Sequence, residues 1–372
     1  MASFSKLGVK ENYITGLNEL GIKKPTEIQE RVIPVLINSK TDLIGLAQTG
    51  TGKTAAFGLP LLQSIDTSSK EVQGLILTPT RELAQQIKKH LFKYTKYVDE
   101  RIFLEGVYGG EKIDIQIQNL YRTTHIIIAT PGRLIDLIER KVVKLNHVKT
   151  IVLDEADEML SMGFKDDLNT ILKYTSGISN TWLFSATMPK EIRRIVEDYM
   201  AVDAVRVTVN ENSIVNANIT HQYIKVDIKD KVDLIVDLIE EVGDDRGIIF
   251  CRTKAGTQNL TEALKEEGFS VGALEGNMQQ RDREKAMRAF KNGNTQILIS
   301  TDVSARGIDV SNLAFVLHHQ LPEQLEYYTH RSGRTARAGK KGNSIALITP
   351  GELSKIHEIQ KELGIRFTEI KR

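Results

Sequence analysis

Ala47-Gln48-Thr49-Gly50-Thr51-Gly52-Lys53-Thr54 is the stretch whose reading decides the fold. The apolar run Leu43-Ile44-Gly45-Leu46 precedes it and reads as a buried strand. Ala55-Ala56-Phe57 follows and reads as the start of a helix. Strand, glycine-rich turn, then helix is the setting in which backbone N–H groups cradle phosphates. Gly50 and Gly52 let the chain turn without a side chain in the way. Lys53 can reach the β- and γ-phosphates, and the Thr54 hydroxyl can ligate Mg²⁺. The strict pattern opens on Gly; here the next smallest residue, Ala47, takes that place.

The chain has 372 residues, 41% of them hydrophobic, enough for two domains with separate cores. Its formal net charge is +2, so a nucleic-acid role must rest on local basic sites. With Cys251 as its one cysteine, no internal disulfide can form. No secretory signal opens the chain and no apolar run is long enough to span a bilayer, so the expected location is cytoplasmic.

Upstream of the phosphate loop, Thr26 and Gln29 have capping-box spacing at the start of a helix. The Gln29 amide also offers a donor beside an acceptor, which matches adenine N6 and N7 and not guanine. Strands at Gly74–Thr78, His125–Ala129, Thr150–Leu153 and Trp182–Phe184 then alternate with helices at Arg81–Lys93 and Leu134–Arg140. That alternation predicts a mostly parallel sheet flanked by helices, with ligands at the strands' C-terminal ends. The asparagine-rich segment Val207–Thr220 reads as a linker. A second alternating series follows, with strands at His221–Val226, Gly247–Cys251, Ile297–Thr301, Leu313–Leu317 and Ser344–Ile348. It has no Gly-Lys-Thr loop, so one half should hold the nucleotide. The expected domains are 1–208 and 220–372, joined by 209–219.

Asp154 ends a buried run, the setting of a carboxylate that holds Mg²⁺; Glu155 beside it can orient and deprotonate a water. The plainer alternative, a solvated acidic turn, ignores the phosphate loop upstream.

With these residues in hand, the sequence resembles the DEAD-box RNA helicases of superfamily 2. The words that carry the likeness are Gly21–Gln29, Ala47–Thr54, Pro79-Thr80-Arg81-Glu82-Leu83, Gly109-Gly110 and Thr130-Pro131-Gly132-Arg133. Asp154-Glu155-Ala156-Asp157 and Ser185-Ala186-Thr187 complete the first half. Gln280 and Arg283, Ser300-Thr301-Asp302, Arg306-Gly307-Ile308-Asp309 and His330–Arg337 continue in order.

The resemblance implies two tandem RecA-like domains and ATP with Mg²⁺ as cofactors. It places Phe4 and Gln29 at the adenine, Gln48, Thr49, Gly50, Thr51, Gly52, Lys53 and Thr54 at the phosphates, and Asp309 at the ribose. Asp154 and Thr54 would hold the metal and Glu155 the water. Ser185 and Thr187 would bond Asp157 and couple hydrolysis to RNA. Arg334 and Arg337 would be arginine fingers. Arg331, Arg334 and Arg337 lie three apart, so on a continuous helix they would share one face. RNA would meet Pro79, Arg81, Gly109, Gly110, Thr130 and Arg133 in the first domain. In the second it would meet Thr253, Gln280, Arg283, Thr301 and Gly307.

These are mostly small, hydroxyl or basic residues suited to backbone contacts, so binding should be sequence-independent, with RNA chosen over DNA through the 2′-OH. Ser332, Ala336 and Asn277 differ from the commonest family wording, where Ile, Gly and Asp are frequent. The implied activity is RNA-stimulated ATP hydrolysis coupled to domain closure and local unwinding of short duplexes or remodelling of RNA–protein complexes. An ATP-gated clamp that holds RNA for partner proteins is the alternative, and a DNA helicase is a further one. No Asn-Lys-x-Asp guanine signature and no Leu-Ser-Gly-Gly-Gln transporter stretch is present.

Overall fold

The computed structural model describes residues 2–48, 50–175, 180–209, 218–305, 313–336 and 341–372. The chain divides into two compact units, Met1–Asn210 and Glu211–Arg372.

The first unit is built on seven strands: β1 (Leu43–Leu46), β2 (Gly74–Leu77), β3 (Leu104–Val107), β4 (Ile126–Ala129), β5 (Thr150–Asp154), β6 (Asn180–Ser185) and β7 (Val205–Thr208). They lie in the order β3-β4-β2-β5-β6-β1-β7, and every pairing is parallel. Both faces are covered, as an all-parallel sheet requires. Ile76, Ile126, Ile128, Val152, Trp182 and Phe184 point into one core, while Leu75, Leu77, Ile127, Ile151, Leu153 and Leu183 point into the other.

The second unit has β8 (Ile219–Lys225), β9 (Gly247–Phe250), β10 (Val271–Leu274), β11 (Ile297–Ser300), β12 (Phe315–His318), β13 (Gly342–Ile348) and β14 (Phe367–Glu369). Their order is β10-β11-β9-β12-β13-β8-β14, again all parallel. Counted from the start of each unit, both sheets read third, fourth, second, fifth, sixth, first, seventh. The units are therefore two copies of one topology, a repeat too divergent to see as repeated words in the sequence.

Local chemistry starts the helices at the strands' C-terminal ends. Thr80 caps Arg81–Tyr94 by accepting from the Leu83 N–H at 3.3 Å. Thr253 caps Lys254–Glu266 by accepting from the Gly256 N–H at 3.0 Å. Pro131 is the first residue of Pro131–Glu139, where its missing N–H costs nothing.

Part of the expected linker belongs to the sheets. Val209 donates its N–H to the Leu46 carbonyl, and Ile219 and Thr220 already pair with β13. Residues 210–217 lie outside the described residues.

Gly247 faces the Phe315 ring so closely that an added Cβ would sit 2.2 Å from its nearest carbon. Gly247→Ala should cost about 1–3 kcal/mol, as overpacking does. Urea denaturation should show that loss in the second unit's transition, with nucleotide binding by the first unit preserved.

Candidate functional site

The sheet order sorts the turns of the first unit into two groups. The turns after β5, β6 and β1 are neighbours, and they carry Asp154-Glu155, Ser185-Ala186-Thr187 and the phosphate loop. The turns after β3, β4 and β2 are also neighbours, and they carry Gly109-Gly110, Thr130 with Arg133, and Pro79 with Arg81.

Within the phosphate loop, Gly50 and Gly52 have φ of 81° and 95°, in the region that favours glycine. Gly52 caps the helix Lys53–Gln63, so that helix's free N–H groups and positive dipole end face the loop. Lys53 is buried, and its Nζ donates to the Ala47 carbonyl at 2.8 Å, drawing the loop closed. The Thr51 hydroxyl donates to the Gln48 carbonyl at 2.8 Å. Thr54 is half-buried in the first turn of the helix. Thr49 lies outside the described residues.

Gln29 combines both of its sequence readings. Its Oε1 accepts the Thr26 N–H at 3.0 Å, completing a capping box. Its Nε2 donates to the Gly52 carbonyl at 2.9 Å, so the adenine-motif helix is tied directly to the phosphate loop. An amide has two N–H groups and two oxygen lone pairs, so one donor and one acceptor are left over. Phe4 is 3% exposed and packs in the core; it presents no open ring face for stacking.

Asp154 ends β5 and is buried. Burial pushes its carboxyl well above the usual carboxylate range; Lys53 opposes this, and the nearby Glu155 and Asp157 charges add to it. Crowded acids beside a buried lysine suit a divalent cation, whose charge would relieve the repulsion. Glu155 has a φ of 53°, unusual for a residue with a side chain, and caps the helix Ala156–Ser161. Its N–H donates to Asp154 Oδ1 at 3.1 Å.

Thr187 binds Asp157 twice, donating its N–H at 2.9 Å and its hydroxyl at 2.8 Å to Oδ2. Ser185 does not share that role: its hydroxyl donates to the Thr187 carbonyl at 2.7 Å. As the last residue of β6, it braces the loop rather than reaching the acid. Its carbonyl accepts the Ala47 N–H at 3.0 Å, which joins this loop to the phosphate loop.

On the other side of the edge, Pro79 is buried and Gly109 and Gly110 are exposed. Arg81 lies over the Tyr108 ring at 6.0 Å. Arg133 donates from Nη1 to the Glu111 carbonyl at 3.1 Å and to Gln116 Oε1 at 2.9 Å, clipping the Gly109-Gly110 loop to the Thr130 helix. The residues clipped there, Glu111 and Gln116, carried no signal in the sequence.

In the second unit, Thr253, Gln280, Arg283 and Thr301 fall on the turns and helix starts after β9, β10 and β11, again neighbouring strands. Arg283 donates to the Ser304 carbonyl at 2.6 Å, and Thr301 Oγ1 donates to Ser304 Oγ at 3.1 Å. Asn277 Oδ1 accepts from Lys254 Nζ at 2.6 Å, a bond to which a carboxylate there would add a second charge.

The expected shared face of three arginines does not form. The helix Leu325–Ser332 ends at Gly333, so Arg334 sits in the turn beyond it, while Arg331 points into the core at 1% exposure. Ala336 has a φ of 55°, which explains why glycine is frequent there. Gly307, Asp309 and Arg337 lie outside the described residues.

A phosphate loop after β1, an Asp-Glu pair two strands away at the end of β5 and a doubled α/β topology are the parts of a two-unit nucleoside-triphosphatase. The DEAD/DEAH box helicase family matches residues 26–195, and the helicase conserved C-terminal domain family matches residues 230–339. The DEAD-box ATP-dependent RNA helicase CshA of Bacillus cereus is 42% identical over 361 residues, covering 97% of this chain and 68% of its own length. The ATP-dependent RNA helicase CshA of Limosilactobacillus reuteri is 41% identical, covering 99% and 73%. S. cerevisiae Dbp5 bound to RNA and ADP BeF3 superposes with a TM-score of 0.91 at 31% identity, covering 100% of this chain and 96% of that one. Mss116p bound to ssRNA and AMP-PNP gives 0.89 at 31% identity, covering 100% and 80%. The chain belongs to the DEAD-box ATP-dependent RNA helicases, with the tandem RecA-like fold of that family.

A Cβ at Gly52 would lie 2.4 Å from Gln29 Nε2 and 3.0 Å from Thr26 Oγ1. Gly52→Ala should therefore break the tie between the adenine-motif helix and the phosphate loop. Titration with a fluorescent ATP analogue should show affinity weakened about tenfold or more, the loss of one to two kcal/mol expected for such a contact.

Proposed function

We propose that this chain hydrolyses ATP in response to single-stranded RNA and uses the cycle to open short duplexes locally or to remodel RNA–protein complexes. The observation that supports it best is the convergence of Lys53 and Glu155 on the buried Asp154 at one edge of the sheet, with Glu155 in a left-handed conformation. Strained backbone at a carboxylate beside a phosphate loop is the sort of feature that function retains.

In this reading the loop N–H groups of 48–54 and Lys53 bind the triphosphate, and Gln29 reads adenine with its spare donor and acceptor. Thr54 and Asp154 would hold Mg²⁺, which screens phosphate charge when bound. Glu155 orients the attacking water and takes its proton. Thr187 and Asp157 link that site to the Ser185 loop. The second unit contributes Arg334, Arg337 and Asp309 when the units close over ATP, with the segment 209–219 as the linker. An arginine finger is worth about 10³–10⁵ in rate.

RNA meets Pro79, Arg81, Gly109, Gly110, Thr130 and Arg133 on one unit and Thr253, Gln280, Arg283, Thr301 and Gly307 on the other. Small residues and helix starts suit phosphates and sugars of any sequence. Stacking averages about 1.4 kcal/mol per step in DNA, so bending one RNA strand out of a few steps costs several kcal/mol, within reach of an ATP-bound state. That predicts opening of short duplexes without travel along long ones, in the cytoplasm.

Steady-state ATPase with and without RNA tests the reading, and strong stimulation by RNA over DNA is expected. Glu155→Gln should lower turnover about 10²–10⁴-fold, the worth of a general base, while ATP and RNA still bind. Surviving hydrolysis would place the base elsewhere. A strand-displacement assay should give release of short duplexes only; a long RNA-bound lifetime without displacement would favour the clamp.

A further inference from the structure

We propose that Asp302 and Arg331 are positioning residues that carry RNA occupancy to the arginine turn of the second unit; this deepens the functional reading above and rests on it. In the sheet, β9 lies between β11 and β12. Asp302 follows β11 directly after Thr301, and Arg331 lies on the helix after β12, so a contact between them must cross over the end of β9.

It does. Arg331 Nε donates to Asp302 Oδ1 at 2.5 Å and Nη2 donates to Oδ2 at 2.6 Å, a two-pronged pair. The guanidinium stands 5.1 Å from the ring centre of Phe250, the last residue of β9. Nη1 donates to the Gln320 carbonyl at 2.8 Å and approaches His318 Nδ1 at 3.3 Å. The His318 ring stays neutral because it is fully buried beside this cation, so Nδ1 accepts while Nε2 meets Ser344 Oγ at 3.0 Å.

Both ends of the pair lead to a site. On one side, Thr301 and Arg283 both bond Ser304, in the short helix Asp302–Ala305 that Asp302 opens. On the other, the Arg334 N–H donates to the Arg331 carbonyl at 3.1 Å. The route runs from Arg283 and Thr301 to Ser304, through the short helix to Asp302, and on to Arg331 and Arg334. With Arg331 buried and Asp302 partly exposed, the pair takes its arginine out of water at a cost, and the best-attested use of such pairs is to fix geometry. Only a planar fork makes both prongs at once; lysine carries the charge without that geometry.

The test uses the full chain with Asp302→Asn and Arg331→Lys, each followed by thermal melting. Saturating RNA should give a turnover about tenfold below wild type, as loss of coupling between two sites does. The RNA-free rate, the KM for ATP and the affinity for RNA should stay near wild type, a kcat-only loss that a merely structural role does not produce. Full RNA stimulation in folded variants overturns the proposal. So does a parallel fall of RNA-free and RNA-stimulated rates, or failure of both variants to fold, since each assigns the pair to stability. A wild-type chain whose ATPase ignores RNA overturns the functional reading instead, and this inference with it.

Discussion

A parallel sheet delivers the turn after every strand to the same edge, and strand order alone decides which turns become neighbours. In the first unit that order sets β1 beside β6 and β6 beside β5. The phosphate loop therefore meets the Ser185 loop and the Asp154-Glu155 turn without any long excursion of the chain. The Ala47 N–H bond to the Ser185 carbonyl and the Lys53 bond to the Ala47 carbonyl secure that meeting. The remaining turns, after β3, β4 and β2, are left to form a second surface along the same edge.

The same order in the second unit carries different chemistry. Gly74 pairs with Thr150 in one sheet and Gly247 pairs with Phe315 in the other, which sets Asp154 and His319 at equivalent places. Lys231 opens its helix as Lys53 opens its own. Its Nζ, however, donates to the carbonyls of His319 at 2.8 Å and Leu347 at 2.9 Å. An ammonium fastened to two backbone carbonyls has little left to offer a phosphate. Burial, with Lys231 adding to it, pushes the His319 imidazole down to about 4, so it is neutral where the first unit has an acid. One topology thus yields one unit with a phosphate-loop motif and one whose strand ends present arginine and hydroxyl groups.

What could be read beforehand follows burial. The central strands are buried on both faces and appear as unbroken apolar runs, as in Ile126-Ile127-Ile128 and Ile297-Leu298-Ile299. The four strands with no such signal are β3, β7, β10 and β14, the two edges of each sheet. Leu104-Glu105-Gly106-Val107 and Val271-Gly272-Ala273-Leu274 are partly exposed and interrupted by glycine, so neither a run nor a clean alternation forms. The site motifs were legible because their chemistry depends on residues adjacent in sequence. Contacts between distant words were not: the three-residue spacing of the arginines suggested one helix face, but Gly333 ends the helix before Arg334. Nothing in the spacing marked Arg331 as the arginine at 1% exposure or Arg334 as a residue of the turn.

The left-handed residues separate what chemistry needs from what the family varies. A side chain held at positive φ costs about 1–2 kcal/mol relative to the right-handed helical region. Glu155 bears that cost at the point where β5 becomes a helix, and the turn through one residue leaves two consecutive carboxylates at the same strand end. Glycine would relieve the strain there and remove the carboxylate. Ala336 bears the same cost with only a buried methyl group, packed with Ile219, to set against it. Glycine at 336 would lose about the burial of one methyl and gain the backbone freedom, so the exchange is nearly even. At a position where the two residues balance, either one serves; at 155 only the strained acid supplies the carboxylate.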